Sequence, residues 1–294
     1  MQFGIFMLAT DQSMSVIELG RAAEAAGFSS LFLGEHTHMP VGTGLPGAGV
    51  GGQEARLLDP FVALSAVAAT TTRLRVGTGV CLVIERDPIT LAKEVASLDF
   101  LSGGRFELGV AAGWNQREMR NHGTDPASRW KLLRERIEAM KRIWAEDEAE
   151  FHGKLVDFGP LWSWPKPVQK PHPPILVGGS GAQILKRIAA YGDGWMPYAG
   201  RHLADGSWRA TGSAVGGIAV DDFITRGREL RRLAKDAGRG RMSLTLFGAP
   251  DDPAQLERLQ AADVDRCLFW LPAEPAATVL PILERCAKIA ASFA

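Results

Sequence analysis

The amino-acid sequence predicts a (β/α)8 TIM barrel of the α/β class, with insertion segments at its C-terminal face. Three observations carry that expectation. Short apolar runs alternate with longer amphipathic segments along the chain. The alternation counts to eight strand–helix pairs, and parallel strands joined by right-handed crossovers close into a barrel at eight. The 294 residues are close to what one such barrel needs, about 250. No linker divides the chain, so residues 1–294 read as a single barrel domain.

Local signals give the elements in order. Residues 3–8 form the first apolar run and read as a strand rather than a signal peptide, because no charged segment precedes a long apolar core. Ser13 offers an N-cap, and residues 16–26 make a helix that Gly27 stops. A second strand spans 31–34, a helix 60–71 and a third strand 74–80. Asp87-Pro88 opens a helix running to about Leu101, with a capping carboxylate and a proline in the first turn. Strand four is 105–110. Residues 130–145 form an amphipathic helix with Leu133, Ile137, Met140, Ile143 and Trp144 on one face.

The regular pattern then breaks. Residues 151–174 are rich in Pro, Trp and Gly, include Pro165-Lys166-Pro167, and predict an excursion with a hairpin over one end of the barrel. Strand five, 175–177, leads at once into Gly178-Gly179-Ser180-Gly181 and a helix. Strand six is 193–196, and a second excursion covers 197–217. A helix at 223–237, strand seven at 242–247, a helix at 255–262, strand eight at 266–271 and a helix at 279–289 complete the count.

Composition excludes several function classes. Thirty-three Lys and Arg balance 33 Asp and Glu, with no basic cluster, so neither nucleic acid nor an acidic membrane is an expected partner. No segment is apolar over the roughly 18 residues that a membrane helix needs. Cys81, Cys267 and Cys286 are odd in number, form no CxxC pair and sit in apolar stretches, as reduced core thiols do in a cytoplasmic protein. The expectation is therefore a soluble, cytoplasmic protein with no structural metal.

A TIM barrel carries its chemistry at the C-terminal ends of its strands. Strand two ends in Gly34-Glu35-His36-Thr37-His38, where a carboxylate beside an imidazole makes an acid–base pair, or where the histidines are merely solvated. At strand three, Gly77 and Gly79 admit either a close ligand or tight packing in the barrel neck. Strand four ends in Ala111-Ala112-Gly113-Trp114-Asn115, with Trp114 a flat face or a core filler and Asn115 a ligand contact or a helix cap. The turn Gly178-Gly179-Ser180-Gly181 before a helix suits a phosphate, or is an ordinary tight turn. The glycine-rich residues 40–52 read as a lid or as an insertion.

Taken in order, these segments resemble the luciferase-like superfamily, and within it the branch that uses the deazaflavin coenzyme F420. The resemblance rests on Leu33-Gly34-Glu35-His36, Val76-Gly77-Thr78-Gly79-Val80, Asp87-Pro88 through Leu98-Asp99, Leu101-Ser102-Gly103-Gly104-Arg105 and Gly109 to Asn115. It continues through Lys166-Pro167-Val168-Gln169, Pro173-Pro174-Ile175, Gly178 to Gly181 and Asp193-Gly194-Trp195, covering about two-thirds of the chain. Beyond residue 196 the likeness is one of barrel topology alone.

The resemblance implies roles. His36, with Glu35, would stand beside the deazaflavin ring as proton donor, acceptor or ring ligand. The Gly79–Val80 bond would be a non-proline cis peptide behind the ring. Ala112, Gly113, Trp114 and Asn115 would line the cofactor's tail, and Gly178, Gly179, Ser180 and Gly181 would hold its phosphate. Trp114 departs from the F420-dependent sugar-phosphate dehydrogenases, which resemble this chain but align a glutamate acid there; that argues against their substrate and leaves a second acid–base partner unnamed.

The implied activity is hydride transfer between F420 and a small, fairly apolar substrate. FMN is the alternative cofactor, and Trp162, Trp164 and Trp208 are candidate apolar linings. A homodimer is implied by resemblance. The rivals of another class are a non-catalytic cofactor binder and a metal-dependent barrel hydrolase, for which His36-Thr37-His38 has suitable spacing.

Overall fold

A computed structural model describes residues 1–42, 52–199, 201–202, 208–209 and 217–293. Eight parallel strands form a closed barrel: β1 (Gln2–Met7), β2 (Ser30–Leu33), β3 (Arg75–Thr78), β4 (Phe106–Val110), β7 (Ile175–Val177), β8 (Gly194–Trp195), β11 (Ser243–Phe247) and β12 (Arg266–Leu271). They close in chain order, with β12 returning to pair with β1 over Gln2↔Arg266 to Met7↔Leu271. Helices cover the outside: α1 (Val16–Ala25), α2 (Pro60–Thr70), α3 (Pro88–Leu101), α4 (Gln116–Asn121), α5 (Arg129–Ala145), α6 (Ile184–Tyr191), α7 (Val220–Asp236), α8 (Pro253–Ala261) and α9 (Ala276–Ala291). With helices on one side and a filled barrel on the other, strands such as β4 and β7 are buried at every position, which is why they read as unbroken apolar runs. None of the described helices is long and apolar enough to cross a membrane.

The helix starts obey local chemistry. Asp59 caps α2 through Val62 N at 3.0 Å, Asp87 caps α3 through Thr90 N at 2.8 Å, and Asp252 caps α8 through Ala254 N at 3.1 Å, each followed by proline. Ser13 is not the cap expected of α1. Ser15 precedes that helix without a side-chain cap, and the Ser13 hydroxyl instead accepts from Thr10 N at 3.0 Å, closing a turn. Gly27, at φ +86°, ends the first helical segment in the left-handed conformation glycine permits.

Two layers fill the barrel. Phe6, Phe32, Leu176, Met196 and Leu268 pack together as its apolar middle. Below them, at the strand starts, Glu107 receives two hydrogen bonds of 2.8 Å from Arg266 and a third from Arg75 Nε. Burial alone would raise the Glu107 pKa; Arg266 and then Arg75 overcome it and hold the group down at about 2.

The first excursion corrects an expectation of position. It contains the antiparallel hairpin β5 (Ala149–His152) and β6 (Asp157–Leu161), but it does not lie over the C-terminal face. It connects α5 to β7, and every helix runs back to the N-terminal end before the next strand begins. Gln169 accordingly bonds Phe106 O, at the start of β4, and Asp99, near the end of α3. Trp162 and Trp164 are exposed on this segment and are removed from the substrate face. The second excursion follows β8 and so leaves from the C-terminal rim; of it the strands β9 (Arg201–His202) and β10 (Trp208–Arg209) are described. Residues 43–51, within the candidate lid, and the side chain of Trp208 lie outside the described residues.

Replacing Glu107 by glutamine leaves Arg266 buried without its charge partner and is expected to cost about 3–5 kcal/mol in urea unfolding. Because the Glu107 pKa is depressed in the folded state, its contribution is complete above 4.5 and is lost as pH falls toward about 2. The pH dependence of stability over that window, present in the parent and flattened in Glu107→Gln, checks the assignment.

Candidate active site

The strands carrying the anticipated site residues, β2, β3, β4 and β7, are consecutive around the barrel, so their C-terminal ends form one arc of the rim. His36 follows β2. Its Nδ1 lies 2.8 Å from Glu118 Oε2, and its Nε2 accepts from Trp114 Nε1 at 3.3 Å. A carboxylate only accepts and an indole N–H only donates, so this pair of contacts selects one neutral tautomer, with the hydrogen on Nδ1. The His36 side chain is 10% exposed and that of Glu118 is 1% exposed. Thr37 N donates to the other Glu118 oxygen at 3.2 Å, which fixes the carboxylate from a second direction. Among the described residues Nε2 has only the long bond from Trp114, and it is the atom that can accept from an incoming hydroxyl.

The Glu35 side chain turns to other partners than its neighbour's. It is buried, one oxygen accepting from Leu82 N at 2.5 Å and the other from Arg86 Nε at 2.6 Å. Arg86 also bonds Asp59 and Glu94. Glu35 therefore anchors the chain after β3 to the chain after β2. Successive side chains point in opposite directions, and here His36 takes the site and Glu35 the structure.

The Gly79–Val80 peptide after β3 is cis. The two glycines of this strand serve packing: a Cβ on Gly77 would lie 2.3 Å from the Phe32 ring, and one on Gly79 would lie 3.0 Å from the Phe6 ring. Val80 is half-buried at the mouth. After β4, Ala112 is buried and Gly113 takes φ +63°, a conformation that turns the chain into α4. Trp114, 38% exposed, meets His36 edge-on with ring centroids 5.7 Å apart, so it flanks the imidazole. Asn115 is the N-cap of α4, its Oδ1 accepting from Arg117 N at 3.1 Å and Glu118 N at 3.3 Å, while its amide reaches Met39 Sδ.

At the end of β7, Gly178 is buried and its N–H bonds Val110 O at 2.7 Å. Gly179 has φ +107°, and the helix begins at Ile184, three residues beyond Gly181. Side chains tie down the turn's carbonyls: Trp195 Nε1 bonds Gly179 O at 2.8 Å, and Arg226 bonds Ser180 O at 2.6 Å and Gly181 O at 3.0 Å. Arg226, on α7, brings a guanidinium to the place where an anionic group would be held.

Further round the rim, Tyr198, Phe247 and Trp270 are half-buried and form one aromatic cluster with Phe6, at centroid distances of 4.6–5.5 Å for the close pairs. Glu118, Arg226 and this cluster were not anticipated. Glu118 had a signal, since Asn115 followed three residues later by a glutamate is a helix-start pattern. Its side chain departs from that pattern by reaching across to His36. Arg226 had none, because only the docking of α7 on α6 brings it to the turn.

Comparison with known proteins fits this geometry. The family model for luciferase-like monooxygenases matches residues 1–215, which include all the anticipated site residues. The chain belongs to the luciferase-like monooxygenase family. A protein of Mycobacterium tuberculosis whose function is uncharacterised is 43% identical to this luciferase-like chain over 203 residues, 67% of this chain and 72% of that one. Among solved structures, a monooxygenase from Streptomyces bottropensis superposes with a TM-score of 0.79 at 20% identity, covering 100% of both chains. An F420-dependent secondary alcohol dehydrogenase, solved with an F420–acetone adduct, superposes with a TM-score of 0.75 at 16% identity over 98% of this chain and 97% of that one. Both likenesses are of fold.

In this luciferase-like protein, Glu118→Gln would put an amide opposite His36 Nδ1 and remove the charged acceptor. Nitrogen chemical shifts of the imidazole are expected to change from one dominant Nδ1–H tautomer to a mixture, and stability to fall by about 1–3 kcal/mol.

Proposed function

We propose that the protein is an oxidoreductase that uses coenzyme F420 to move a hydride to or from a small, mainly apolar organic substrate. The Glu118–His36 pair is the observation that carries this reading. Hydride movement at an alcohol or carbonyl carbon requires a proton to move at its oxygen, and His36 Nε2 is a base oriented from behind by a buried carboxylate. The deazaflavin, when bound, supplies a ring carbon that gives or takes the hydride and does not require oxygen to be managed.

The residues fit such a cofactor. The Gly178 to Gly181 turn, with Arg226 at hand, suits the phosphate of its tail, and the half-buried Val80 and edge-on Trp114 leave apolar surface at the ring end. Tyr198, Phe247 and Trp270 give the mouth an aromatic wall, which favours an apolar substrate over a sugar phosphate. The F420-dependent alcohol dehydrogenase that shares the fold supports the same chemistry. A second reading, an FMN-dependent monooxygenase, is favoured by the description of the family itself.

Parallel fluorescence titrations with F420 and FMN separate the two. Tight FMN binding without F420 binding would overturn the first reading. Given F420 binding, His36→Ala is expected to lower turnover of reduced F420 with aliphatic ketones by about 10²–10⁴-fold, with cofactor affinity nearly unchanged. Arg226→Gln is expected to weaken cofactor affinity by roughly tenfold with turnover at saturation retained, as loss of a charge-assisted bond predicts.

A further inference from the structure

Glu85 closes a single 3₁₀ turn, Val83–Glu85, just beyond β3. Its side chain is 1% exposed, and among the described residues neither of its carboxyl oxygens has a hydrogen-bond partner. Among the described residues four ionisable groups face it. They are Glu118 on α4, Glu35 after β2, its chain neighbour Arg86, and His122 at the C-cap of α4, whose Nε2 is 3.9 Å from Glu85 Oε2. Arg86 is committed to Glu35, Asp59 and Glu94. A buried carboxylate without donors, beside two other carboxylates, neutralises rather than stays charged. Burial first, then Glu118 and Glu35, push the Glu85 pKa up to about 8 against the pull of Arg86, so Glu85 is a carboxylic acid at neutral pH.

His122 connects this acid to the surface. Its Nε2 is 2.7 Å from Thr37 Oγ1, which is 2.9 Å from His38 Nδ1, and Asn121 Nδ2 is 2.8 Å from His38 Nε2. The Asn121 amide donates, so His38 Nε2 accepts, His38 Nδ1–H donates to Thr37, and the Thr37 hydroxyl donates to His122 Nε2. Burial first, then His38, lower the His122 pKa, and its side chain is 27% exposed. A neutral acid thus faces a neutral base that touches water.

We propose that Glu85 is a proton store that compensates charge at His36. The inference rests on the reading of His36 as the group that exchanges a proton with substrate. When His36 Nε2 takes that proton, an O–H bond breaks on the substrate and an N–H bond forms on the imidazole. The Thr37 hydroxyl then turns away from His122 Nε2, Glu85 yields its own proton to that nitrogen, and His122 releases its Nδ1 proton to solvent water. No electron moves in this step. Glu85, Glu118 and His36 together carry one negative charge before and after, so the transfer leaves the net charge of the cluster unchanged. Run backwards, the same transfers serve the opposite hydride direction.

Histidine NMR titration of the cofactor-free protein tests the coupling apart from cofactor binding. In Glu85→Gln the compensating charge cannot form, and the His36 midpoint is expected lower than in the parent; an unmoved midpoint overturns the proposal. Infrared spectroscopy of the parent keeps the test decisive should the variant not fold. A protonated-carboxyl C=O band at neutral pH, fading as pH rises through about 8, is expected, and its absence refutes the neutral acid. Because the raised pKa costs stability as pH climbs from 4.5 toward 8, Glu85→Gln is also expected to match the parent's Tm at about pH 5 and exceed it at about pH 9. F420 failing to bind while the His36 midpoint still shifts would refute the cofactor assignment and support the proton store.

Discussion

Glu107 is buried inside the barrel, and it is tolerated there because Arg266 and Arg75 converge on it from β12 and β3. The same demand, that a carboxylate removed from water be met by a cation or by N–H groups, organises the rim. Glu35 is met by Arg86 and Leu82 N; Glu118 is met by His36 and Thr37 N. These ties are what hold the loops after β2, β3 and β4 in one arrangement. A loop rim would otherwise be the least ordered part of a barrel, since its backbone has no ladder to bond to. Glu85 breaks the pattern, and a carboxyl group left unmatched in such a setting is a place to look for chemistry rather than stability.

Most of the fold was legible because it is written in short-range patterns. The alternation of buried strands with one-faced helices gave all eight barrel strands, and strands five and eight matched residue for residue. The Asp-Pro pairs marked helix starts that the structure bears out at Asp87 and repeats at Asp59 and Asp252. What escaped notice was short or three-dimensional. The six-residue α4 is too brief to show a period, although Asn115 and Glu118 carried its start signal. Ser13 had the right chemistry for a cap but bonds within its own turn.

The site was legible as a set of places more than as a set of contacts. Barrel topology alone brings residues after β2, β3, β4 and β7 to neighbouring positions, so naming the strand ends was enough to find the arc. It does not say which of two adjacent side chains turns inward: His36 faces Trp114 and Glu118, while Glu35 turns to Leu82 N and Arg86. Partners supplied by α4 and α7 depend on how helices dock, which no local spacing records. Trp162 and Trp164 lie away from the expected face for a different reason: their excursion joins a helix to a strand, and chain direction alone sends such a segment to the other end.

That placement has a practical side. The β5–β6 hairpin hangs from the end of the barrel opposite His36, and its tip around Lys154 is exposed. Evolution or an engineer can therefore lengthen, recode or splice a guest domain into that tip, and the candidate site at the C-terminal rim stays on the far side of a filled barrel. Variation is cheap on the floor of this molecule and dear at its ceiling, and the direction in which the polypeptide happens to run is what decides which is which.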